Sequence, residues 1–208
     1  MTSTSAAPPV SGRRAATRER LMNAAVGVFA ERGIIGASVE EICEAAGFTR
    51  GAFYSNFADK DELVLAMLRL QMEHQYAAAQ AAIDVIAENG PRGDPDAVLT
   101  AALDTLEHHL HPEREWVLAQ HELLLYAARR PAVRDAYREF SDGYLEQFGA
   151  LIARGVEASG LSLAIPFGDA LELLTSCHVQ DQLDRLFDQG GESRRLRILL
   201  RLLTRPAG

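Results

Sequence analysis

The 208-residue sequence lacks features on which several classes of protein depend. No uninterrupted apolar run reaches about 18 residues, so the sequence predicts no transmembrane helix and no membrane partner. There are only two cysteines, Cys43 and Cys177, whose separation in sequence predicts two buried thiols in a reducing cytoplasm. Residues 1–12 are rich in Ser, Ala and Pro without an apolar segment, which predicts a disordered arm and not a signal peptide.

Sequence motifs of common catalytic and metal sites are also missing. The chain has no C-x-x-C, G-x-S-x-G, G-x-G-x-x-G or Walker loop, and no E-x-x-H pair. The run that begins at His121-Glu122 fails as a zinc-protease motif because position 125 is leucine. We therefore predict a protein that is not an enzyme and has no cofactor or metal. His108 and His111 are spaced so that they could share one metal, and a helical metal-dependent enzyme remains an alternative.

The formal net charge of −8 divides unevenly along the chain. Residues 1–60 carry seven basic and six acidic groups, a net charge of +1, whereas residues 61–208 carry 14 basic and 23 acidic groups, a net charge of −9. With 48% hydrophobic and 24% charged residues, the composition is that of an ordinary globular protein of one or two domains. Most of the acidic load lies outside the N-terminal part, which can therefore approach an anionic partner.

Short helices joined by tight turns are predicted near the N-terminus. Residues 17–33 show an apolar stripe of helical period, with Thr17 as a candidate N-cap and Gly33 as a candidate stop. Ser38 then opens a second helix through an S-x-x-E capping box. Gly47 ends that helix because glycine accepts the left-handed conformation that a C-cap needs.

The third predicted helix begins at Thr49 and carries polar and small residues on one side. Phe53 and Phe57 lie four residues apart and anchor the helix to the first two. On the other side Arg50 can make a bidentate bond to guanine, and Tyr54 can reach a phosphate. This pattern is typical of a helix-turn-helix that enters a DNA groove. The predicted DNA-binding residues are Ser38, Thr49, Arg50, Gly51, Ala52, Phe53, Tyr54, Asn56 and Lys60.

Residues 45–63, which read Ala-Ala-Gly-Phe-Thr-Arg-Gly-Ala-Phe-Tyr-Ser-Asn-Phe-Ala-Asp-Lys-Asp-Glu-Leu, resemble the signature of the tetracycline-repressor (TetR) family. The resemblance implies that the third helix reads the major groove of double-stranded DNA. It also implies that an aromatic-tyrosine pair and the lysine that opens the fourth helix touch the DNA backbone. Those roles fall on Phe53, Tyr54 and Lys60. Many members have histidine where this chain has Asn56.

The remaining chain is predicted to be helical, with no convincing strand. The predicted helices cover 60–88, 95–110, 113–129, Pro131 to Gly160, Pro166 to about Asp188, and 192–204. The predicted fold class is all-α, with an N-terminal three-helix DNA-binding domain and a larger C-terminal helical domain for effector binding and dimerisation. The predicted boundaries are 1–12 for the arm, 13–60 for the helix-turn-helix domain and 61–208 for the larger domain.

Polar side chains interrupt apolar helical faces in the larger domain, as a small-molecule site requires. The candidate effector-binding residues are Trp116, Gln120, His121, Tyr137, Tyr144, Cys177, His178 and Gln182. A buried histidine satisfied by a neighbouring group is the alternative for His121 and for His178.

The final helices are apolar on more than one side, which predicts a symmetric pair of helix hairpins between two copies of the chain. The candidate interface residues are Leu183, Leu186, Leu196, Leu199 and Leu203. The resemblance implies a cytoplasmic homodimeric transcriptional repressor that binds a palindromic operator. It also implies a small-molecule effector that releases the repressor by moving the helix over 60–88, which links the two domains. A regulator without an effector, whose C-terminal part only dimerises, remains the second alternative.

Overall fold

The computed structural model describes residues 12–89, 97–98, 100–101, 114–187 and 194–206, most of which are helical. The elements are α1 (Gly12–Gly36), α2 (Val39–Ala46), α3 (Arg50–Tyr54), α4 (Lys60–Asn89), α5 (Arg114–Arg129), α6 (Pro131–Ala158), β1 (Leu161–Leu163), α7 (Phe167–Leu186), α8 (Arg194–Leu203) and β2 (Thr204–Pro206). The predicted all-α class is confirmed. Most of the helix predicted over 95–110 lies outside the described residues, as do His108 and His111.

Helix α1 is longer than predicted at both ends. It begins at Gly12, and Thr17 lies inside it, where the hydroxyl donates to the carbonyl of Arg13 at 2.9 Å. Thr17 as N-cap was therefore wrong, because the polar residues before it continue the helix. The chain does leave helical geometry at Gly33, with φ of 67° and ψ of 161°, but a last turn follows as far as Gly36.

The predicted caps around the second and third helices are confirmed. The Ser38 hydroxyl accepts from the amide of Glu41 at 3.2 Å, and the Glu41 carboxylate accepts from the amide of Ser38 at 2.8 Å. Gly47 ends α2 in the left-handed conformation, with φ of 70°. Thr49 caps α3 by accepting from the amide of Ala52 at 3.3 Å. These bonds satisfy amides that the two short helices would otherwise leave unpaired.

One hydrophobic core extends through both parts of the chain. Helix α1 packs against both α2 and α5, and α4 packs against α6. Burial of large apolar side chains is the main source of stability for such an arrangement. Fully buried members of this core include Leu21, Phe29, Phe53, Leu63 and Leu123. The core therefore crosses residue 60, where the sequence predicted a domain boundary.

A small antiparallel ribbon corrects the expectation that the chain has no strands. Leu161 pairs with Pro206, and Leu163 pairs with Thr204. The amide of Ala164 also donates to the carbonyl of Leu203 at 2.8 Å. Three residues per strand are too few to show the alternation by which strands are recognised in a sequence.

The C-terminal apolar residues that are buried within their own chain, and those that are exposed, differ from the prediction. Leu203 is only 5% exposed in the single chain, so its predicted place in a dimer interface is wrong. The other four candidates, Leu183, Leu186, Leu196 and Leu199, are half-buried. The large apolar side chains that α8 exposes are Ile198 and Leu202, the latter 71% exposed. Helical period alone did not determine which side of α8 faces its own chain.

Candidate nucleic-acid interface and effector region

The surface of α3 presents Arg50 and Tyr54 together. The Arg50 guanidinium is ion-paired with the carboxylate of Glu40 on α2, and its centre lies 5.7 Å from the centre of the Tyr54 ring. The side chains of Arg50 and Glu40 are both more than half exposed, and Tyr54 is 49% exposed. Gly51 and Ala52 add little bulk beside them. This side of α3 can therefore approach a base edge with a guanidinium and a phosphate with a phenol.

The turn before α3 is held by an arginine of α1. The Arg20 guanidinium donates to the carbonyl of Ala46 at 3.0 Å and lies 4.5 Å from the centre of the Phe48 ring. A side chain at Gly47 would begin 3.7 Å from the same guanidinium. These contacts fix the angle between α2 and α3, on which insertion into a groove depends.

Two predicted DNA-binding side chains are buried instead. Phe53 is fully buried and packs with its ring centre 5.6 Å from that of Phe57. Asn56 is 7% exposed, and its side-chain amide donates to the carbonyl of Ala52 at 2.8 Å. The backbone carbonyl of Asn56 accepts from the guanidinium of Arg18. The prediction that their side chains contact DNA is therefore wrong. Helix α3 ends at Tyr54, so the chain turns inward at residue 56 and leaves the exposed face.

Lys60, the only lysine of the chain, lies at a junction between helices. Its ammonium group donates to the carbonyls of Ile34 at 2.5 Å and Ala37 at 2.8 Å, and burial lowers its pKa. The lysine thus holds the beginning of α4 to the end of α1. It does not face outward as its predicted phosphate contact requires.

Helix α5 contacts the same junction through Glu122, a residue that sequence reasoning did not single out. Its carboxylate accepts from the amide of Ile34 at 3.3 Å. The same carboxylate oxygen lies 3.0 Å from the point where a side chain at Gly33 would begin. A backbone with positive φ and an adjacent carboxylate together require glycine at this kink.

One turn after Glu122, Tyr126 makes a second contact between α5 and α4. Its hydroxyl donates to the carboxylate of Asp61 at 2.5 Å, and Arg130 pairs with the same carboxylate at 3.1 Å. Burial and the bond to Asp61 raise the pKa of Tyr126 to about 12. Helix α5 is thereby bonded to both the last turn of α1 and the first turn of α4.

The predicted aromatic residues of the effector region lie on α5 and α6, both of which contact α4. The indole N–H of Trp116 donates to the side chain of Gln71 at 2.7 Å, and the Tyr144 hydroxyl donates to Gln75 at 3.5 Å. Tyr137 packs edge-to-face with Phe140, with ring centres 5.3 Å apart. Burial raises the pKa of both tyrosines. Trp116 and Tyr144 therefore both bond to the long helix α4, at residues one turn apart, whereas Tyr137 packs against Phe140 of its own helix.

The predicted polar residues lie on α5 and α7. Nδ1 of His121 lies 2.8 Å from the carbonyl of Val117, and its Nε2 atom is buried without a partner among the described residues, as is the Oε1 atom of Gln120. On α7, Nε2 of His178 lies 2.9 Å from the side-chain nitrogen of Gln182. The alternative of a histidine satisfied by a neighbouring group thus applies to Nδ1 of His121 and to Nε2 of His178. Cys177 is half-buried on α7, which packs against α5.

Within the part of the chain that the structure describes, no three His, Cys, Asp or Glu side chains are grouped so that they could hold a metal ion. Within that same part, no helix combines the length and the apolar character needed to cross a bilayer.

Two models of protein families match the chain. The model for bacterial regulatory proteins of the tetR family matches residues 21–67, which contain α2, α3 and most of α1. The model for the tetracyclin repressor-like C-terminal domain matches residues 93–204, more than half of the chain.

Similar proteins include two that are named as repressors. The HTH-type transcriptional repressor KstR2 of Mycobacterium tuberculosis is 31% identical over 100 residues, which are 48% of this chain and 49% of that protein. The HTH-type transcriptional repressor AcnR of Corynebacterium diphtheriae is 32% identical over 135 residues, 62% of each protein. The chain thus spans about half the length of KstR2 and 62% of AcnR.

A solved structure resembles this chain over nearly its whole length. The multidrug binding protein EbrR, complexed with malachite green, superposes with a TM-score of 0.59 and 28% sequence identity. The superposition covers 89% of this chain and 97% of EbrR.

Proposed function

This chain belongs to the TetR family of bacterial regulatory proteins, and from that premise we propose that it is a homodimeric repressor released from a palindromic operator by a small molecule. The observation that carries the DNA-binding proposal is the exposed pair Arg50 and Tyr54 on a short helix. That helix is capped by Thr49 and positioned by Arg20. The names of KstR2 and AcnR favour repression over activation.

In the proposed complex, α3 lies in the major groove of each half-site. Arg50 exchanges its ion pair with Glu40 for a bidentate bond to guanine, and Tyr54 contacts a phosphate. The net charge of residues 1–60 is near neutral, so a strongly basic surface does not drive binding. Affinity should therefore depend on two half-sites being occupied at once.

The proposed dimer uses the apolar surface exposed on α8 and just after the end of α7. Phe187 and Leu202 are 72% and 71% exposed, and Ile198 is 47% exposed. A second copy related by a two-fold axis would cover these side chains and place four helices in one bundle. The same axis would present two copies of α3 to successive turns of DNA.

The proposed effector site lies beside α4, among Trp116, Tyr137 and Tyr144 of α5 and α6. That EbrR is described as a multidrug binding protein in complex with malachite green supports a small-molecule site in a chain of this fold. Occupancy would move α5 and α4, which are bonded to the end of α1 through Glu122 and Lys60. The two sites would then share a coupling free energy, so that DNA weakens effector binding by the same factor.

A selection of genomic fragments with the purified chain, followed by footprinting, tests the proposal. We expect protection of one inverted repeat, with two half-sites about one helical turn apart. Arg50→Ala should lose the footprint, whereas Glu31→Gln, a change at an exposed position of α1, should keep it. Failure to enrich any fragment above the Arg50→Ala background would refute the DNA-binding proposal. An enriched operator that no compound releases would favour a regulator without an effector.

A further inference from the structure

We propose that the effector is a largely apolar molecule that donates hydrogen bonds, with a lipophilic ammonium ion as the simplest representative and a carboxylate excluded. The inference rests on the proposed effector function and specifies only the chemistry of the ligand. It comes from three uncharged acceptor atoms on α5 and α7 that are buried without a donor among the residues that the structure describes.

The first acceptor is the Nε2 atom of His121. The carbonyl of Val117, 2.8 Å from Nδ1, can only accept, so Nδ1 must carry the proton in that bond. The neutral ring then presents Nε2 as a lone pair. That atom is buried, and no donor contacts it among the residues that the structure describes. A ligand donor would supply the bond that the fold omits.

Two glutamine oxygens extend the pattern. The side-chain nitrogen of Gln182 lies 2.9 Å from Nε2 of His178. The oxygen of the same amide, Oε1, is buried. Gln182 is only 3% exposed, and its Oε1 atom, like that of Gln120, meets no donor within the described residues. Two of the three acceptors therefore belong to neighbouring residues of α5, and the third belongs to α7.

The three acceptors lie at the same end of the α5–α7 pair. Arg114, at the beginning of α5, donates to the carbonyl of Leu186, the last residue of α7. Gln182 lies one turn before Leu186, and His121 lies about two turns after Arg114. Gln120 is also one turn from Trp116, which bonds to α4. A ligand between these helices would meet aromatic rings and acceptors together.

The surrounding charge also favours a donor or a cation over an anion. Residues 61–208 hold 23 acidic and 14 basic groups, so their summed field attracts cations. Aromatic faces such as those of Trp116 and Tyr137 attract ammonium groups as well. A basic group does lie near the cluster: the exposed Arg69 guanidinium is 4.9 Å from the Phe140 ring centre. It is stacked on a ring and does not contact the three acceptors in any described interaction.

Trp116 is the only tryptophan, so its fluorescence reports binding to the full chain without DNA. The probes are decylammonium, decyltrimethylammonium and decanoate, which share one apolar chain. Decylammonium and decyltrimethylammonium have the same charge, but only the former has N–H donors. We expect decylammonium to bind about tenfold more tightly than either of the others, because only it can satisfy the acceptors.

Variants then assign the preference to the named atoms. His121→Leu and Gln182→Leu should each weaken decylammonium binding about fivefold to tenfold and leave decyltrimethylammonium unchanged. His121→Gln, which keeps an acceptor, should recover part of the loss. The matched controls His74→Leu and Gln180→Leu alter exposed residues and should change neither ligand. Thermal unfolding of each variant confirms that it is folded.

The outcomes separate this inference from the proposed function. Decanoate binding as tightly as decylammonium would overturn the donor requirement, even if decanoate released the operator. Absence of binding by all three probes would also overturn it, since internal water would then suffice for the acceptors. Absence of an operator footprint would refute the proposed function. The Trp116 fluorescence titrations with the three probes would still test the ligand chemistry, because they use no DNA.

Discussion

Arg50 has two partners before any DNA is present. Glu40 neutralises its charge from α2, and the Tyr54 ring lies beside its guanidinium plane. Because both charged groups are exposed, the ion pair adds little to folding stability. Its consequence is for recognition: both a phosphate and a guanine must displace Glu40 from the guanidinium, and the Glu40 carboxylate also repels a nearby phosphate.

Arg50→Ala should cost about 1–3 kcal/mol of operator binding and relax base preference at one position in each half-site. Tyr54→Phe, which removes only a phosphate contact, should weaken all sequences to a similar extent. Binding to a library of operator variants measures both effects. Unchanged affinity and selectivity for Arg50→Ala would mean that α3 does not enter the groove as we propose.

Glu40→Gln should raise affinity for non-specific DNA more than affinity for the operator, because Arg50 then becomes available to any phosphate. The slope of log affinity against log salt should steepen by about one counterion on non-specific DNA. Glu44→Gln removes the same charge from an exposed position one turn later on α2 and is the matched control. Equal effects of Glu40→Gln and Glu44→Gln would mean that Glu40 acts through its negative charge and not through its ion pair with Arg50.

Three predicted DNA-binding residues, Asn56, Phe53 and Lys60, are placed differently by the tertiary structure. Asn56 was placed on the exposed face with Arg50, but α3 ends at Tyr54 and the side chain of Asn56 is buried. Phe53 was predicted both as an anchor and as a DNA contact, and burial leaves only the first role. Lys60 was assigned a contact with the DNA backbone through the family resemblance, yet two backbone carbonyls of the protein bind its ammonium group. Such carbonyl positions depend on tertiary structure.

At the scale of elements, the capping box of α2 should make stability depend on pH. Hydrogen bonds from Ser38 and the charge of Arg32 lower the pKa of Glu41 below its ordinary value of 4.5. A lowered carboxylate pKa means stabilisation that is present at neutral pH and is lost as the pH falls through the folded-state pKa. Glu41→Gln should therefore destabilise the chain at pH 7, by an amount that shrinks as the pH falls below the ordinary value of 4.5, as measured by urea unfolding. A difference that is independent of pH would contradict this assignment.

The kink of α1 should be intolerant of any side chain. Gly33→Ala should lower the free energy of unfolding by about 1–3 kcal/mol, because its backbone lies in a region that only glycine populates readily. The new methyl group would also displace the Glu122 carboxylate. Gly27→Ala is the matched control, since α1 is regular there and the nearest atom is 4.0 Å away. That change should stabilise the chain by about 0.5–1 kcal/mol. Equal stability of the two variants in urea would show that the kink is not strained.

Local signals in the sequence predicted the elements well and their contacts poorly. Ser38, Gly47 and Thr49 act within a few residues of themselves, so their caps could be read directly. Pro131 likewise marked the start of α6. Glu122 could not be found in this way, because a charged residue on an amphipathic helix is typical of a solvated face. Its partner Ile34 is 88 residues distant in sequence.

For the whole molecule, the continuous core has a functional consequence. Leu123 of α5 and Phe29 of α1 belong to one buried cluster, so movement of α5 cannot leave α1 in place without exposing apolar surface. Together with the bonds of Glu122 and Lys60, this packing offers a short path from the effector region to α3. A loose linker between two independent domains would offer no such coupling.

The assembly of two chains can be tested because neighbouring leucines of α8 differ in burial. Leu202 is 71% exposed, whereas Leu203 is 5% exposed within its own chain. Leu202→Glu should leave the monomer folded and place an unpaired charge in the proposed interface, where its desolvation costs several kcal/mol. Light scattering should then report a monomer, with a thermal unfolding curve that no longer shifts with protein concentration.

Leu203→Glu should instead damage folding, because it buries a carboxylate inside the single chain. The two variants carry the same charge change one residue apart, so the contrast between them isolates the interface from the core. If Leu202→Glu were still a dimer, the two-fold surface would have to lie elsewhere than on α8. If the natural chain were a monomer at all concentrations, two copies of α3 would not be joined. Binding to a palindrome would then show no advantage over binding to a single half-site.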